Sequence, residues 1–137
     1  MVHKFKVKTS GKSEMADISR EIAGIVRENG VESGVCHIFT PHTSCGLAIN
    51  ENADPDVRRD LESFFSRLVP DGDRLFVHTA EGEDDMSAHI RTALTAVNLS
   101  IPVTRGRLAL GTWQGLYLWE HRTAPLQRTI AAHFIGE

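Results

Sequence analysis

The stretch LSIPVTRGRLALGTWQGLYLWEHRTAPLQRTIAAHFI, residues 99–135, decides the fold class. β-Branched and aromatic residues are dense in it, and they predict strands at Leu99–Val103, Arg107–Leu110, Leu116–Trp119 and Arg128–Ile135. The intervening segments are short and contain turn residues such as Arg105-Gly106 and Gly111-Thr112. Two parallel strands need a crossover of about a dozen residues or more. The sequence therefore predicts antiparallel pairing in this part of the chain.

Helical patterns occupy much of the preceding sequence. The apolar spacing predicts a first helix that is capped by Ser13 and stopped by Asn29-Gly30, and a second that starts at Asp54-Pro55 and ends before Pro70. A third is predicted from about Asp85 to Asn98. Further strands are predicted at Lys4–Thr9, Val35–Thr40, Ser44–Ile49 and Arg74–His78. We expect an α+β fold with a mostly antiparallel, two-layer β-sandwich-like core and about three helices packed on it.

Length and charge limit the class of protein. A chain of 137 residues fits one domain, which we place at residues 1–137, and it can bury a core without disulfide or metal staples. Fifteen Lys and Arg against eighteen Asp and Glu give a formal net charge of −3. Because a nucleic-acid binder normally carries a basic stripe, we expect no nucleic-acid partner.

Cysteine use and hydropathy indicate a compartment. Cys36 and Cys45 form no CxxC pair, so we expect both to be reduced thiols. The N-terminal MVHKFKVKTS has neither the apolar core nor the cleavage site of a signal peptide, and no apolar run reaches the roughly 18 residues of a membrane span. We expect a soluble, cytoplasmic protein with no membrane partner.

The seven histidines are many for this length and point toward metal chemistry. His42, His78 and His89 lie beside polar loops on separate elements. Three imidazoles would give a catalytic zinc ion its three protein ligands and leave a fourth position open. Their spacing matches no short zinc motif, and ordinary polar residues at sheet ends are the alternative interpretation.

Two polar runs offer further ligands. Asn50, Glu51 and Asn52 precede the second helix and can either close a turn or hold a ligand's polar groups. Glu81-Gly82-Glu83-Asp84-Asp85 can bind a hard cation such as Mg²⁺, or a metal-bridged diphosphate, although it lacks the spacing of an EF-hand. Acidic residues at a solvated helix start are the alternative for this second run.

Gln114 and Glu120 are predicted to share one face of a strand because their separation is even. Glu120 suits a general base or a partner that orients a metal-bound histidine. An ion pair between Glu120 and Arg122 at the sheet end is the competing interpretation.

Four motifs, taken in order along nearly the whole chain, resemble the YjbQ-like family, whose members carry the label secondary thiamine-phosphate synthase. They are Pro41-His42-Thr43-Ser44, Asn50-Glu51-Asn52-Ala53-Asp54-Pro55, Glu81-Gly82-Glu83-Asp84-Asp85-Met86-Ser87-Ala88-His89-Ile90, and Gly111-Thr112-Trp113-Gln114-Gly115 with Glu120-His121-Arg122. The combination is far more specific than any single motif.

The resemblance implies a homotrimer with a metal-binding pocket near the subunit boundary. It also implies a thiamine-phosphate synthase side activity, in which a pyrimidine diphosphate and a thiazole phosphate are joined and pyrophosphate leaves. On this chain the implied metal ligands are His42, His78 and His89. The resemblance also falls on Glu81 and on two groups to which we assign roles. We expect catalytic roles for Glu120, Arg122 and Gln114, and substrate binding by Asn50, Glu51, Asn52, Asp84 and Asp85.

Three kinds of function stay open at this point. The first is an enzyme that uses a divalent metal, zinc or else magnesium with a diphosphate, on a small phosphorylated substrate; metal-assisted hydrolysis would use the same ligands. The second is a non-catalytic trimeric module that binds a metabolite. The third is a structural protein that binds a partner.

Overall fold

The computed structural model describes residues 1–11 and 13–137. Its helices are α1 (Ser19–Asn29), α2 (Pro55–Leu68) and α3 (Asp85–Leu94). Its strands are β1 (Val2–Lys8), β2 (Met15–Asp17), β3 (Ser33–Phe39), β4 (Cys45–Glu51), β5 (Asn98–Thr104), β6 (Arg107–Leu108), β7 (Gln114–Glu120) and β8 (Gln127–Gly136).

The strands form two sheets, ordered β1-β8-β3-β5-β6 and β2-β7-β4, and every pairing between these strands is antiparallel. The main core lies between the sheets and includes Ile38, Leu118 and Ile130, all fully buried. The predicted α+β class and its two-layer antiparallel core are confirmed. Among the described residues, no helix is long and apolar enough to cross a membrane.

The side chains of β7 alternate between two environments. Leu116 and Leu118 point into the main core, whereas Tyr117 and Trp119 pack on the opposite face of the sheet. There Phe65 of α2 meets the Trp119 ring edge-on, with ring centroids 4.8 Å apart. This second cluster fixes α2 on the outside of the three-stranded sheet.

The predicted helix ends are confirmed at two places. Asp54 caps α2 because its carboxylate accepts a hydrogen bond from the Asp56 amide, with Pro55 as the first helical residue. Gly30 ends α1 with a left-handed φ of 74°.

Three local predictions are wrong. Residues 74–78 form no strand, and their exposed Leu75 and Val77 lie in a loop before α3. Met15–Asp17 pair with β7 as a strand, so α1 begins at Ser19 rather than just after Ser13. Helix α3 ends at Leu94, because the following residues bridge to β4 and then start β5.

Candidate metal centre

Helix α3 and the loop before it bring four potential metal ligands together. Asp85 and His89 lie one turn apart on α3, so they share a face, while His78 and Glu81 come from the loop. One donor atom from each of these four residues lies within 4.8 Å of the others. Four donor atoms this close together could hold a single ion.

Two imidazole nitrogens converge on one carboxylate oxygen. Asp85 Oδ2 lies 2.7 Å from His78 Nε2 and 3.1 Å from His89 Nε2. Glu81 Oε2 lies 3.4 Å from His78 Nε2. The Asp85 side chain is 4% exposed and that of His78 is 43% exposed, so the cluster is anchored in the protein and open to solvent on one side.

The second nitrogen of His89 fixes its tautomer. His89 Nδ1 lies 2.9 Å from the Thr43 carbonyl oxygen, which can only accept a hydrogen bond, so Nδ1 carries the proton. In the neutral ring Nε2 then presents a lone pair toward Asp85 Oδ2. Two acceptors that face each other need a proton or a cation between them. A histidine held by a backbone carbonyl in this way is typical of a metal ligand.

Arg122 holds the other oxygen of Asp85. Its Nη1 donates to Asp85 Oδ1 over 2.7 Å, and its Nε donates to Asp84 Oδ2 over 3.0 Å. Thr123 adds bonds from its amide and its hydroxyl to the same oxygen of Asp84. Arg122 therefore orients Asp85 so that Oδ2 faces the two imidazoles.

Hydrogen bonds and nearby charges lower the pKa of the two aspartates in and beside this cluster and raise the pKa of His78. Burial raises the pKa of Asp84, but hydrogen bonds from Arg122 and Thr123 outweigh it and lower that pKa to about 2. For Asp85, burial is likewise outweighed by its hydrogen-bond partners and nearby cationic groups, and its pKa is lowered. The hydrogen bond to Asp85 raises the pKa of His78. Both aspartates are therefore carboxylates at neutral pH.

A small pocket adjoins the cluster on the loop side. Its volume is about 220 Å³. The lining residues are Gly72, Asp73, Phe76, His78, Thr79, Gly82 and Glu83. His78 is the member shared with the cluster, so a molecule in this pocket would lie next to the four candidate ligands.

The structure places Glu120 in a buried ion pair. Its carboxylate accepts hydrogen bonds from Arg128 Nε at 2.7 Å, from Arg128 Nη2, from Thr9 Oγ1 and from the Arg122 amide. Arg128 also donates to the Ser44 carbonyl and hydroxyl. The partner of Glu120 is thus Arg128, whereas Arg122 contacts it through its backbone. The predicted catalytic role of Glu120 stays a prediction.

His42 lies outside the four-residue cluster. Its Nε2 accepts a hydrogen bond of 2.9 Å from the Thr129 amide, which occupies that nitrogen's lone pair. Burial, and then the charge of Arg128, lower the pKa of His42, so the ring is neutral. Of the three histidines predicted to bind metal, the structure brings together His78 and His89.

The remaining predicted residues lie at the other end of the three-stranded sheet. In the register of β4 and β7, Glu51 pairs with Gln114 and Cys45 pairs with Glu120. Six residues of strand separate those two ends, or about 20 Å. Four predicted residues are thus remote, within one chain, from the cluster of candidate ligands: Asn50, Glu51, Asn52 and Gln114.

Hydrogen bonds at that remote end close turns. Gln114 Oε1 accepts from the Gly111 amide and Glu51 Oε2 accepts from the Asp54 amide. Asn52 donates to the Gln114 carbonyl, and Asn50 accepts from the Glu51 amide. Each of these side chains has a local structural partner, which favours the turn-closing interpretation.

Sequence reasoning missed two contributors. Thr43 acts through its backbone carbonyl, for which side-chain identity gives no signal. Thr123 holds Asp84 through its amide and hydroxyl, and its position beside Arg122 was the available clue.

The comparisons agree with this fold and these motifs. A family model described as UPF0047 protein YjbQ-like matches residues 3–137. The chain is 50% identical over 131 residues to UPF0047 protein sll1880 of Synechocystis, covering 96% of this chain and 88% of that protein. It is 38% identical to UPF0047 protein YugU of Bacillus subtilis, covering 99% of this chain and all of YugU.

A solved structure extends the similarity to three dimensions. The crystal structure of an uncharacterised YjbQ/UPF0047 protein from Clostridium acetobutylicum superposes with a TM-score of 0.87 at 37% identity. That alignment covers 97% of this chain and 99% of the other. The chain therefore belongs to the UPF0047 YjbQ-like family.

Proposed function

We propose that this protein is a metal-dependent enzyme that acts on a small phosphorylated molecule. The observation that carries the proposal is the meeting of His78 Nε2 and His89 Nε2 at one oxygen of Asp85. Without a cation, at least one imidazole must be protonated to avoid opposing lone pairs. With a cation, all three groups become ligands in their neutral-imidazole and carboxylate forms.

The donor set favours a first-row transition metal, with zinc foremost. Two imidazoles and one or two carboxylates suit zinc, iron or nickel, whereas Mg²⁺ prefers an all-oxygen shell. A zinc ion held by these residues would supply a Lewis acid and would make bound water more acidic. Glu81 lies beside His78 with its side chain 65% exposed, so it can act as a fourth ligand or accept a proton at Oε2.

The protein's own residues orient the proposed ligands and shape the adjoining pocket. Asp85 is held by Arg122, and His89 is held by the Thr43 carbonyl, so both ligands are preorganised. Phe76 gives the adjoining pocket an apolar surface on which a ring can pack. Asp73 and Glu83 make the pocket acidic, so a phosphorylated substrate would bind through the metal rather than through the pocket wall.

Thiamine-phosphate synthesis is the first reaction to test because of the family resemblance. Hydrolysis of a phosphate ester is the second candidate, favoured by the solvent-open side of the cluster at His78. Arg122, predicted to neutralise phosphate, already donates to Asp84, Asp85 and the Glu81 carbonyl. A diphosphate would therefore depend on the metal, or on a second subunit, for its positive charge.

We also propose that the chain works as a homotrimer in the cytoplasm. The outer face of the five-stranded sheet exposes Val2, Phe39 and Ile135 beside Lys4 and Lys6, a mixed apolar and basic surface that further copies of the chain could cover. Light scattering on the eluting protein should give a trimer mass. A monomer at working concentration would contradict this part of the proposal.

Activity with defined metal content tests the function. Metal-free protein should be inactive, and zinc or cobalt should restore release of pyrophosphate from the two thiamine precursors or of phosphate from esters. His89→Gln and Asp85→Asn should abolish turnover, while Asp60→Asn, at an exposed carboxylate on α2, should not. Full activity of the metal-free protein would contradict the proposed metal dependence. Metal-dependent binding of the precursors without product would show a binding module instead of an enzyme.

A further inference from the structure

A second cavity, distinct from the metal cluster, lies between α1 and the hairpin of β5 and β6. Its volume is about 540 Å³, within the range of roughly 300–1,000 Å³ of small-molecule sites. None of its lining residues belongs to the candidate ligand cluster of His78, Glu81, Asp85 and His89, or to the pocket beside that cluster.

Three arginines and one acid surround this cavity. Arg27 comes from the last turn of α1, and Arg105 and Arg107 come from the hairpin. Over the described residues, none of the three has a carboxylate within 4.0 Å, although Glu32 also lines the cavity. The rim thus carries an excess of two positive charges in a protein whose net charge is −3.

The backbone fixes the hairpin that carries two of these arginines. Arg105 and Gly106 form a two-residue turn in which both φ angles are positive, 54° and 71°. The Gly106 amide donates to the Glu32 carbonyl over 3.1 Å, which ties the turn to the segment after α1. A side chain at Gly106 would also meet Glu32 Oε1 at 3.3 Å. The arginines are therefore carried by a hairpin of defined geometry.

The floor of the cavity is apolar. Val26 and Val31 are buried there, and Leu108 and Leu110 are half-buried against the main core. An apolar floor beneath guanidinium groups suits a molecule that has an apolar body and an anionic head. Arginine recognises a carboxylate, sulfonate or phosphate through paired N–H donors.

We propose that this cleft binds a small amphipathic organic anion, with its apolar body on Val26, Val31 and Leu108 and its head at the arginines. The charge complementarity comes from Arg27, Arg105 and Arg107 together, because each alone is an exposed surface residue. The site is independent of the proposed metal chemistry because the two share no residue.

A fluorescent sulfonate, 8-anilinonaphthalene-1-sulfonate, provides the direct probe. We expect saturable binding at one site per chain and at least tenfold weaker binding of the neutral N-phenyl-1-naphthylamine. The triple variant Arg27→Gln, Arg105→Asn, Arg107→Gln should weaken sulfonate binding at least tenfold. Asparagine is chosen at position 105 because it tolerates a positive φ. Arg67→Gln, an exposed arginine on α2, is the matched control and should bind as the parent does.

Circular dichroism of the triple variant should match the parent, which separates loss of the site from loss of the fold. His89→Gln should bind the sulfonate unchanged, so that failure of the metal proposal and failure of this one give different results. Equal sulfonate affinity in the triple variant would overturn the proposal. So would displacement of the probe by higher protein concentration, which would identify the occupant as a second copy of the chain.

Discussion

His89 and Asp85, one helical turn apart on α3, face each other with His89 Nε2 3.1 Å from Asp85 Oδ2, while His89 Nδ1 contacts the Thr43 carbonyl at 2.9 Å. The carbonyl selects the tautomer that aims a lone pair at the carboxylate. His78 brings a second nitrogen to the same oxygen. This arrangement favours a cation site at the start of α3 over the alternative interpretation, in which its acidic residues only begin a solvated helix.

Arg122→Lys should weaken zinc binding about 10- to 100-fold, the usual cost of removing a group that orients a metal ligand. Lysine keeps the charge but cannot donate to Asp84 and Asp85 at once through a planar fork. Competition with a coloured chelator would measure the affinity. Arg67→Lys on the exposed surface of α2 serves as the control, and zinc affinity equal to that of the parent in Arg122→Lys would show that Asp85 needs no such support.

Arg128→Met should lower the free energy of unfolding by about 3–5 kcal/mol, because it leaves a charged Glu120 buried without its partner. Urea unfolding followed by circular dichroism would measure the loss. Glu120→Gln combined with Arg128→Met should recover part of it, since no buried charge then remains.

Glu120→Gln also separates structure from catalysis. If the residue is a catalytic base, the variant should lose activity in conditions where it is still folded. Activity that falls only with the folded fraction would assign Glu120 to the ion pair with Arg128.

His121 should make stability depend on pH. It is 1% exposed, and its Nδ1 has no hydrogen-bond partner among the residues that the structure describes. Burial, followed by the charges of Arg91 and Arg128, lowers its pKa to about 3. The unfolded chain takes up a proton near pH 6.5, whereas the folded chain resists it until about pH 3. The stabilising contribution is therefore complete above pH 6.5 and is lost progressively as the pH falls toward 3.

The slope should reach about 1.4 kcal/mol per pH unit between those limits, the value for one proton. His121→Gln should flatten the dependence of the unfolding free energy on pH between 6 and 4. His42 has a lowered pKa and contributes with the same sign, so the comparison of variants isolates His121. An unchanged slope in His121→Gln would contradict the assignment.

Much of the fold could be predicted because the deciding signals are local. The closely spaced strands after Asn98, the cap at Asp54 and the stop at Gly30 all depend on near neighbours in sequence. The strand prediction for residues 74–78 was wrong because their apolar residues alternate as in a strand, although none of the described strands pairs with them. Met15–Asp17 were missed because their pairing with β7 is long-range.

The candidate site could be predicted only in part, for a similar reason. His78 and His89 were identified by residue type, but their convergence depends on the path of the loop before α3. His42 also lies beside a polar loop in the sequence, but its Nε2 is bonded to the Thr129 amide and it lies outside the four-residue cluster of this chain, so its role as a ligand stays a prediction. The even spacing of Gln114 and Glu120 predicts that both side chains lie on one face of β7. The two residues are nevertheless at opposite ends of that strand, so they cannot meet in one site within a chain.

The most direct measurement is the metal content of untagged protein purified without chelator, compared with that of His89→Ala and His42→Ala. We predict about one transition-metal ion per chain in the parent and in His42→Ala, and loss of that ion in His89→Ala. Loss in His42→Ala alone would move the site away from α3. No metal in the parent, even after supplementation, or full metal content in His89→Ala would contradict the central claim.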